Sequence, residues 1–145
     1  MSIEDNKRLI QRLIDEGHNR QDADAASAFY TEDASNHLRI VGRAGMKAVF
    51  ETLYAVFPDF HYRILESTAE GDRVVCKVEM TGTHRGQPVL CEAFSGMLND
   101  VVPTGKSVKV LQFHSFRLCD GLIAAHAAVR DDMGMVLQLG LVRQP

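Results

Sequence analysis

What this sequence lacks narrows its chemistry first. It holds no CxxC, HExxH, P-loop or GxGxxG pattern, so no local signature points to a metal, a nucleotide or a redox cofactor. No apolar run approaches the ~20 residues that span a bilayer. The polar, mixed-charge start "MSIEDNKR" has none of the features of a signal peptide. The three cysteines, Cys76, Cys91 and Cys119, are odd in number and far apart. They read as reduced thiols in a cytoplasmic protein, not as a disulfide framework. A net charge of -3 gives no general attraction to nucleic acid or to an anionic membrane. Repeats, linkers and low-complexity tracts are missing as well. The expectation is a single domain over residues 1–145, with ordinary globular composition.

The patterns that are present divide the chain. Ser2 and Asp5 form a capping box ahead of a helix that Gly17 ends. A second helix, about Ala23 to Tyr30, starts from Asp22. A third, about Ala44 to Val56, carries Met46, Val49, Phe50, Leu53 and Phe57 at helical spacing and is closed by Pro58. From Phe60 the rhythm changes to alternation. Two strands meet at Glu70-Gly71-Asp72, and in the second of them Val74, Cys76, Val78 and Met80 share a face. A third strand is expected from Val89 to Met97, then a loop, "NDVVPTGK". The long strand "SVKVLQFHSFRL" turns at Asp120-Gly121 into "LIAAHAAVR". Asp131 or Asp132 caps a short final helix, "MGMVLQLG". Helices gathered at one end and strands at the other mean an α+β fold, with the helices covering one face of a twisted antiparallel sheet.

The last two strands carry the candidate chemistry. Regular alternation puts Leu122, Ala124, His126, Ala128 and Arg130 on one face, and Val108, Val110, Gln112, His114, Phe116 and Leu118 on one face of the partner strand. Pairing across the Asp120-Gly121 turn brings His114 close to Ala127 and Ala128. Two imidazoles near one space can exchange protons around neutral pH. Ala124 and Ala128 leave volume there for a ligand. The plainer readings stand beside this one: each histidine as a hydrogen-bonded core or surface residue, Asp131 as a helix cap, Arg130 as a solvent-facing partner for Asp131 or Asp132. His37, after Asn36, ends a helical segment and reads as a loop residue. His114, His126 and Asp131 are zinc-ligand types without zinc-ligand spacing, so no metal is expected.

Several stretches together resemble the SnoaL-like polyketide cyclases of the NTF2-like superfamily. They are "NKRLIQRLIDEGHNRQD", "FPDF", "GTHRG" (Gly82 to Gly86), "PTGK" (Pro103 to Lys106), "FHSFRLCDGLIAAH" (Phe113 to His126) and "DDMGMVLQLG" (Asp131 to Gly140). The resemblance spans nearly the whole chain and implies a curved sheet wrapped around the N-terminal helices to form a cone-shaped pocket. It implies ring closure of anthracycline precursors by intramolecular aldol condensation, without metal or organic cofactor, with a carboxylate as general acid/base. In the family that aspartate lies two residues beyond the histidine of D-G-x-I-x-x-H. Here the histidine is His126 and the acid's position holds Ala128. The family's other histidine is kept as His114 and a downstream aspartate as Asp131. Ala127 stands where many relatives have tryptophan, and "QPVLCEAFSGMLNDVV" replaces a shorter loop.

The expected function is cofactor-free acid/base chemistry, an aldol-type ring closure or an isomerisation, on an apolar polyketide-like substrate. His114, His126 and Asp131 are the expected catalytic residues, and Asn36, His37, Phe116, Ala128 and Arg130 the expected substrate contacts. The resemblance leaves two alternatives: assistance to hydroxylation of a polyketide with a separate reductase, or non-catalytic binding of a small ligand. Lys77, Glu79, Leu111, Phe113 and Val129 fall on the outer sheet face, which suggests a homodimer through the sheet backs.

Overall fold

The computed structural model describes residues 1–89 and 96–143. Helix α1 spans Ile3–Arg12, and Ser2 and Asp5 close the expected capping box at its start. The helical path then widens into a π turn over Leu13–Gly17 and tightens into a 3₁₀ turn over His18–Arg20, so it runs past Gly17 rather than stopping there. Helix α2, Ala23–Ser27, starts from Asp22, whose side chain accepts from the Ala25 amide. A Cβ on Gly17 would lie 2.7 Å from the Ala26 Cα. The bare backbone at Gly17 is therefore what lets α2 fold back onto the end of the first helical segment.

The expected second helix is cut short. Tyr30–Asn36 form strand β1, and Arg39–Ile40 form strand β2. His37 thus follows a strand, not a helical segment. It lies with Leu38 in a two-residue turn where both φ are positive, +49° and +68°, the arrangement of a type I′ hairpin. Helix α3 covers Gly42–Val56, with Met46, Phe50 and Tyr54 buried. Strands β3 (His61–Glu70), β4 (Arg73–Thr83), β5 (Ser107–Cys119) and β6 (Leu122–Arg130) follow, then helix α4 (Asp132–Gln138). The strand expected over Val89–Met97 falls mainly on residues 90–95, outside the described residues. The described residues that flank them are not in strand.

The sheet order is β2-β1-β6-β5-β4-β3. The pairs β3–β4, β4–β5 and β5–β6 are antiparallel as expected, while β1 runs parallel to β6, which makes the sheet mixed. Register shifts between Ile64 and Glu66 on β3, and opposite Arg117 and Leu118 on β6, mark bulges. Bulges sharpen local twist and bend the strand, and here they curl the sheet around α1 and α3. The concave face is lined by Val74, Cys76, Val78 and Met80 of β4 and by Val108, Val110, Gln112, His114, Phe116 and Leu118 of β5, all buried.

On β6 the bulge changes which residues face inward. Arg117 pairs with Ala125 and Leu118 with Ile123, so Ala124 is skipped. Ile123, not Leu122, is then fully buried. The expectation that Leu122 and Ala124 share the face of His126 fails because regular alternation stops at that bulge. Helix α4 takes over beside β5 where β6 ends. The Asp131 amide donates to the Leu111 carbonyl, and Gln138 bonds both the amide and the carbonyl of Lys109, at 2.7 and 3.0 Å.

Candidate active site

A cavity opens between the helices and the concave face of the sheet. Its helical wall includes Leu13, Ile14, His18, Met46, Phe50 and Leu53; its sheet wall includes Tyr62, Gln112, His114, Phe116, His126 and Ala128; Asn36, His37 and Arg130 complete it. Among the described residues no carboxylate lines it, and Arg130 is the one permanently charged side chain.

His114 lies beside Ala127 and Ala128 as expected, and the bulge at Ala124 makes Ala128 its direct partner and pairs Phe116 with His126. The two imidazoles meet directly, His114 Nδ1 to His126 Nε2 at 2.9 Å. They lie inside a longer chain of contacts. The Tyr62 hydroxyl donates to Gln112 Oε1 at 3.1 Å, and His114 Nε2 lies 2.7 Å from the same oxygen. At the other end His126 Nδ1 lies 2.9 Å from Asn36 Oδ1. Phe116 packs against both rings, with centroids 6.1 and 5.1 Å away.

Counting hydrogens shows what this chain can do. Three contacts, Gln112–His114, His114–His126 and His126–Asn36, each need one hydrogen between their heavy atoms. A neutral pair of imidazoles supplies two. With the Asn36 oxygen facing His126, as in this structure, all three contacts are satisfied when the pair carries one added proton. With the Asn36 amide turned end for end, its NH₂ donates to Nδ1 and the neutral pair is satisfied instead. One amide rotation therefore accommodates gain or loss of a proton without breaking the chain.

Burial favours the neutral state. Both His114 and His126 are held well below the ordinary histidine range, chiefly by loss of water; His18 and Arg130 add to this at His114, and His114 itself and His37 at His126. At the mouth, His37 is exposed and edge-on to His126 at 6.0 Å, and it too is shifted down by partial burial and by Arg130.

The expected site residues are thus mostly gathered. His114, His126, Asn36, His37, Phe116, Ala128 and Arg130 all line the cavity. Arg130 is half-buried rather than solvent-facing, and its Nε lies 3.2 Å from Asp132 Oδ1. Asp131 stands apart. It is exposed, it is not among the lining residues, and its side chain accepts from the Gly134 amide at 2.9 Å as the N-cap of α4. Ala124 is likewise absent from the lining. Among the described residues no three His, Cys, Asp or Glu side chains converge as a metal-ligand set.

Sequence reasoning missed Gln112, Tyr62 and the pair His18–Tyr54. Gln112 shares the inward face with His114, and that alternation was signal enough. His18 continues the buried Ile10–Ile14 spacing by one more turn, a signal masked by reading Gly17 as a stop.

The fold and cavity define a cone of the NTF2-like type, and the sequence profile of the SnoaL-like polyketide cyclases matches residues 8–139. The chain belongs to that family. Among solved structures it is similar to AclR, a candidate hydroxylase from Streptomyces galilaeus, at 26% identity and a TM-score of 0.80, over 98% of this chain and 100% of that one. It is similar to IdmH, a candidate polyketide cyclase from Streptomyces antibioticus, at 25% identity and a TM-score of 0.73, over 93% and 98% of the two chains. TsrD from Streptomyces laurentii shares the fold at 20% identity and a TM-score of 0.81, over 98% and 99%. No curated protein matches the sequence.

Proposed function

We propose that this protein catalyses cofactor-free acid/base chemistry on an apolar polyketide-like substrate, an aldol-type ring closure or an isomerisation, with His114 and His126 as the proton-transfer pair. The observation that carries this reading is the contact of a buried and a half-buried imidazole inside a hydrogen-bonded chain that tolerates one proton more or less. Ala128, which the family resemblance sets at the carboxylate position, pairs with His114 on the neighbouring strand, and this supports the histidine pair as the substitute for that acid. A buried neutral imidazole is a weak base, so the substrate must have an acidic C–H whose carbanion is already delocalised. The proton and the enolate charge then arise together as an ion pair. Asp131 is left with its capping role and takes no part in the proposed step.

The same reading includes a homodimer through the outer sheet face, where Val75, Leu111, Phe113 and Val129 are exposed. It also places the protein in a reducing cytoplasm, in keeping with the free thiols Cys76 and Cys119. The test uses 2-tetralone, an aryl-fused ketone with an acidified C–H. In deuterated buffer the protein is expected to speed exchange at that carbon, and His114→Ala and His126→Ala each to lower the rate by about 10²–10⁴-fold. Exchange that survives both substitutions contradicts the assignment.

A second reading, assistance to hydroxylation, is favoured by the likeness to AclR and by alanine at position 128. Here a separate reductase delivers two electrons, one oxygen atom of O₂ enters the substrate and the other leaves as water. Oxygenated product formed only with reductase and reduced nicotinamide supports it. Ring closure without reductant opposes it.

A further inference from the structure

A further imidazole faces the same cavity from the helical wall. His18 follows the π turn, is only 6% exposed, and lines the cavity with Phe50, Phe60 and Tyr62 around it at centroid distances of 4.8, 6.2 and 5.3 Å. Its Nδ1 lies 2.8 Å from the Tyr54 hydroxyl. Its Nε2 bonds to no described residue, nor is it among the sealed-off polar atoms, so it opens onto the cavity.

The Tyr54 contact settles which nitrogen holds the hydrogen. Tyr54 is buried and its hydroxyl bonds to no other described residue. If Nδ1–H donated to the phenol oxygen, the phenol's own hydrogen would be left buried without an acceptor, a cost of about 1–3 kcal/mol. The hydroxyl therefore donates to Nδ1, and the ring hydrogen resides on Nε2. Burial keeps the ring neutral and the phenol protonated. The result is a fixed N–H donor on the cavity wall with no hydrogen-bond partner among the described residues. A neutral imidazole in this state polarises a carbonyl without surrendering its proton.

We propose that His18 is a substrate-contacting catalytic residue that donates its Nε2–H to the carbonyl oxygen of an aryl ketone, with Tyr54 as the positioning residue that fixes the tautomer. The inference rests on the acid/base reading above and gives it an electrophile. The sheet imidazoles take the proton from carbon while His18 stabilises the oxygen on which the enolate charge collects. No net proton moves through His18, and no bond to it forms or breaks.

The test uses 2-tetralone carrying ¹³C at the carbonyl, bound to the intact protein and followed by infrared difference spectroscopy. The carbonyl stretch is expected below its frequency in an apolar solvent. His18→Phe should abolish that shift, and His18→Gln, which restores a donor, should retain it in part. Tyr54→Phe should weaken it by releasing the tautomer, and His114→Ala should leave it in place. The ¹⁵N spectrum of the unsubstituted protein should show a bare Nδ1 and a protonated Nε2 at His18, a readout independent of any variant. A carbonyl at its apolar-solvent frequency, a shift that survives His18→Phe, a protonated Nδ1, or no binding of the probe each overturns the proposal. Deuterium exchange reports separately on the sheet pair. A shifted carbonyl without exchange sinks the acid/base reading and keeps the His18 contact, whereas exchange with an unshifted carbonyl does the reverse.

Discussion

Acid should unfold this protein through its buried imidazoles, and His18 gives the effect a size. In the unfolded chain its ring titrates at the ordinary 6.5; in the folded protein burial pushes that to about 3, with a smaller push from His126. Between those values the unfolded chain binds a proton that the folded chain refuses. Stability is therefore fully present above pH 6.5 and falls as the pH drops toward 3. Going from pH 7 to pH 5 removes about 2 kcal/mol for this one ring. Urea unfolding at the two pH values measures it, since a loss of ~2 kcal/mol at a slope of ~1–3 kcal/mol/M moves the midpoint by about 1 M. His18→Gln replaces the ring with a group that does not titrate, while His114, His126 and every carboxylate stay the same. The drop between pH 7 and pH 5 should thus be smaller in the variant by about 2 kcal/mol. Equal drops in the two proteins would mean that His18 is charged or solvated in the fold, and the account of the helical wall would be wrong.

Ala128→Asp puts a carboxylate inside the cavity next to His114; it should lower stability by about 1–3 kcal/mol and confer or raise ring closure of an anthracycline-type ester, followed as an isomer of unchanged mass by chromatography. A folded variant with no gain would show that the pocket lacks more than the acid. Gly86→Ala should lower thermal stability by about 1–3 kcal/mol, because a Cβ there would lie 1.9 Å from the Ala55 carbonyl oxygen, backbone against backbone; an unchanged melting curve would contradict that packing. Light scattering should give a dimer mass, converted to monomer by Phe113→Lys with Val129→Lys, and a monomer mass for the unsubstituted chain refutes the sheet-back association.

Much of this architecture is legible in local pattern. The Ser2–Asp5 box, the Asp22 cap, the β3–β4 hairpin and the inward face of β5 all depend on neighbours in sequence, and all appear where the pattern puts them. The tight turn brings His114 to the level of Ala127 and Ala128, and the bulge at Ala124 then makes Ala128 its direct partner. What escapes has a tertiary cause. Tyr30–Asn36 becomes a strand because β6 offers a parallel edge, a partner some 90 residues away. The bulge at Ala124 reverses the phase of β6 without a glycine or proline to announce it. Asp131 resembles a catalytic acid by position in a motif, yet the chain turns into α4 there and needs its carboxylate at the Gly134 amide. Gln112 and Tyr62 reach the cavity only because β5 and β3 converge on it, and Tyr54 is tied to it only through His18.

The acid sensitivity and the proposed catalysis have one physical origin. A cavity walled by aromatic and aliphatic side chains, with no carboxylate among its described lining residues, penalises any charge formed alone. Neutral imidazoles avoid that penalty at rest, which is how buried His18 and His114 and half-buried His126 can share one cavity. In the proposed step a substrate carbon loses its proton to the His114–His126 pair, and positive and negative charge appear side by side, with Asn36 and Gln112 already in contact with the rings. The low dielectric that opposes a lone proton strengthens that ion pair. Stabilisation is then greater for the charge-separated transition state than for the uncharged bound ketone, which is the condition for rate enhancement. A proton arriving from acidic solvent brings no such partner, so the same burial that favours the reaction drives the fold apart at low pH.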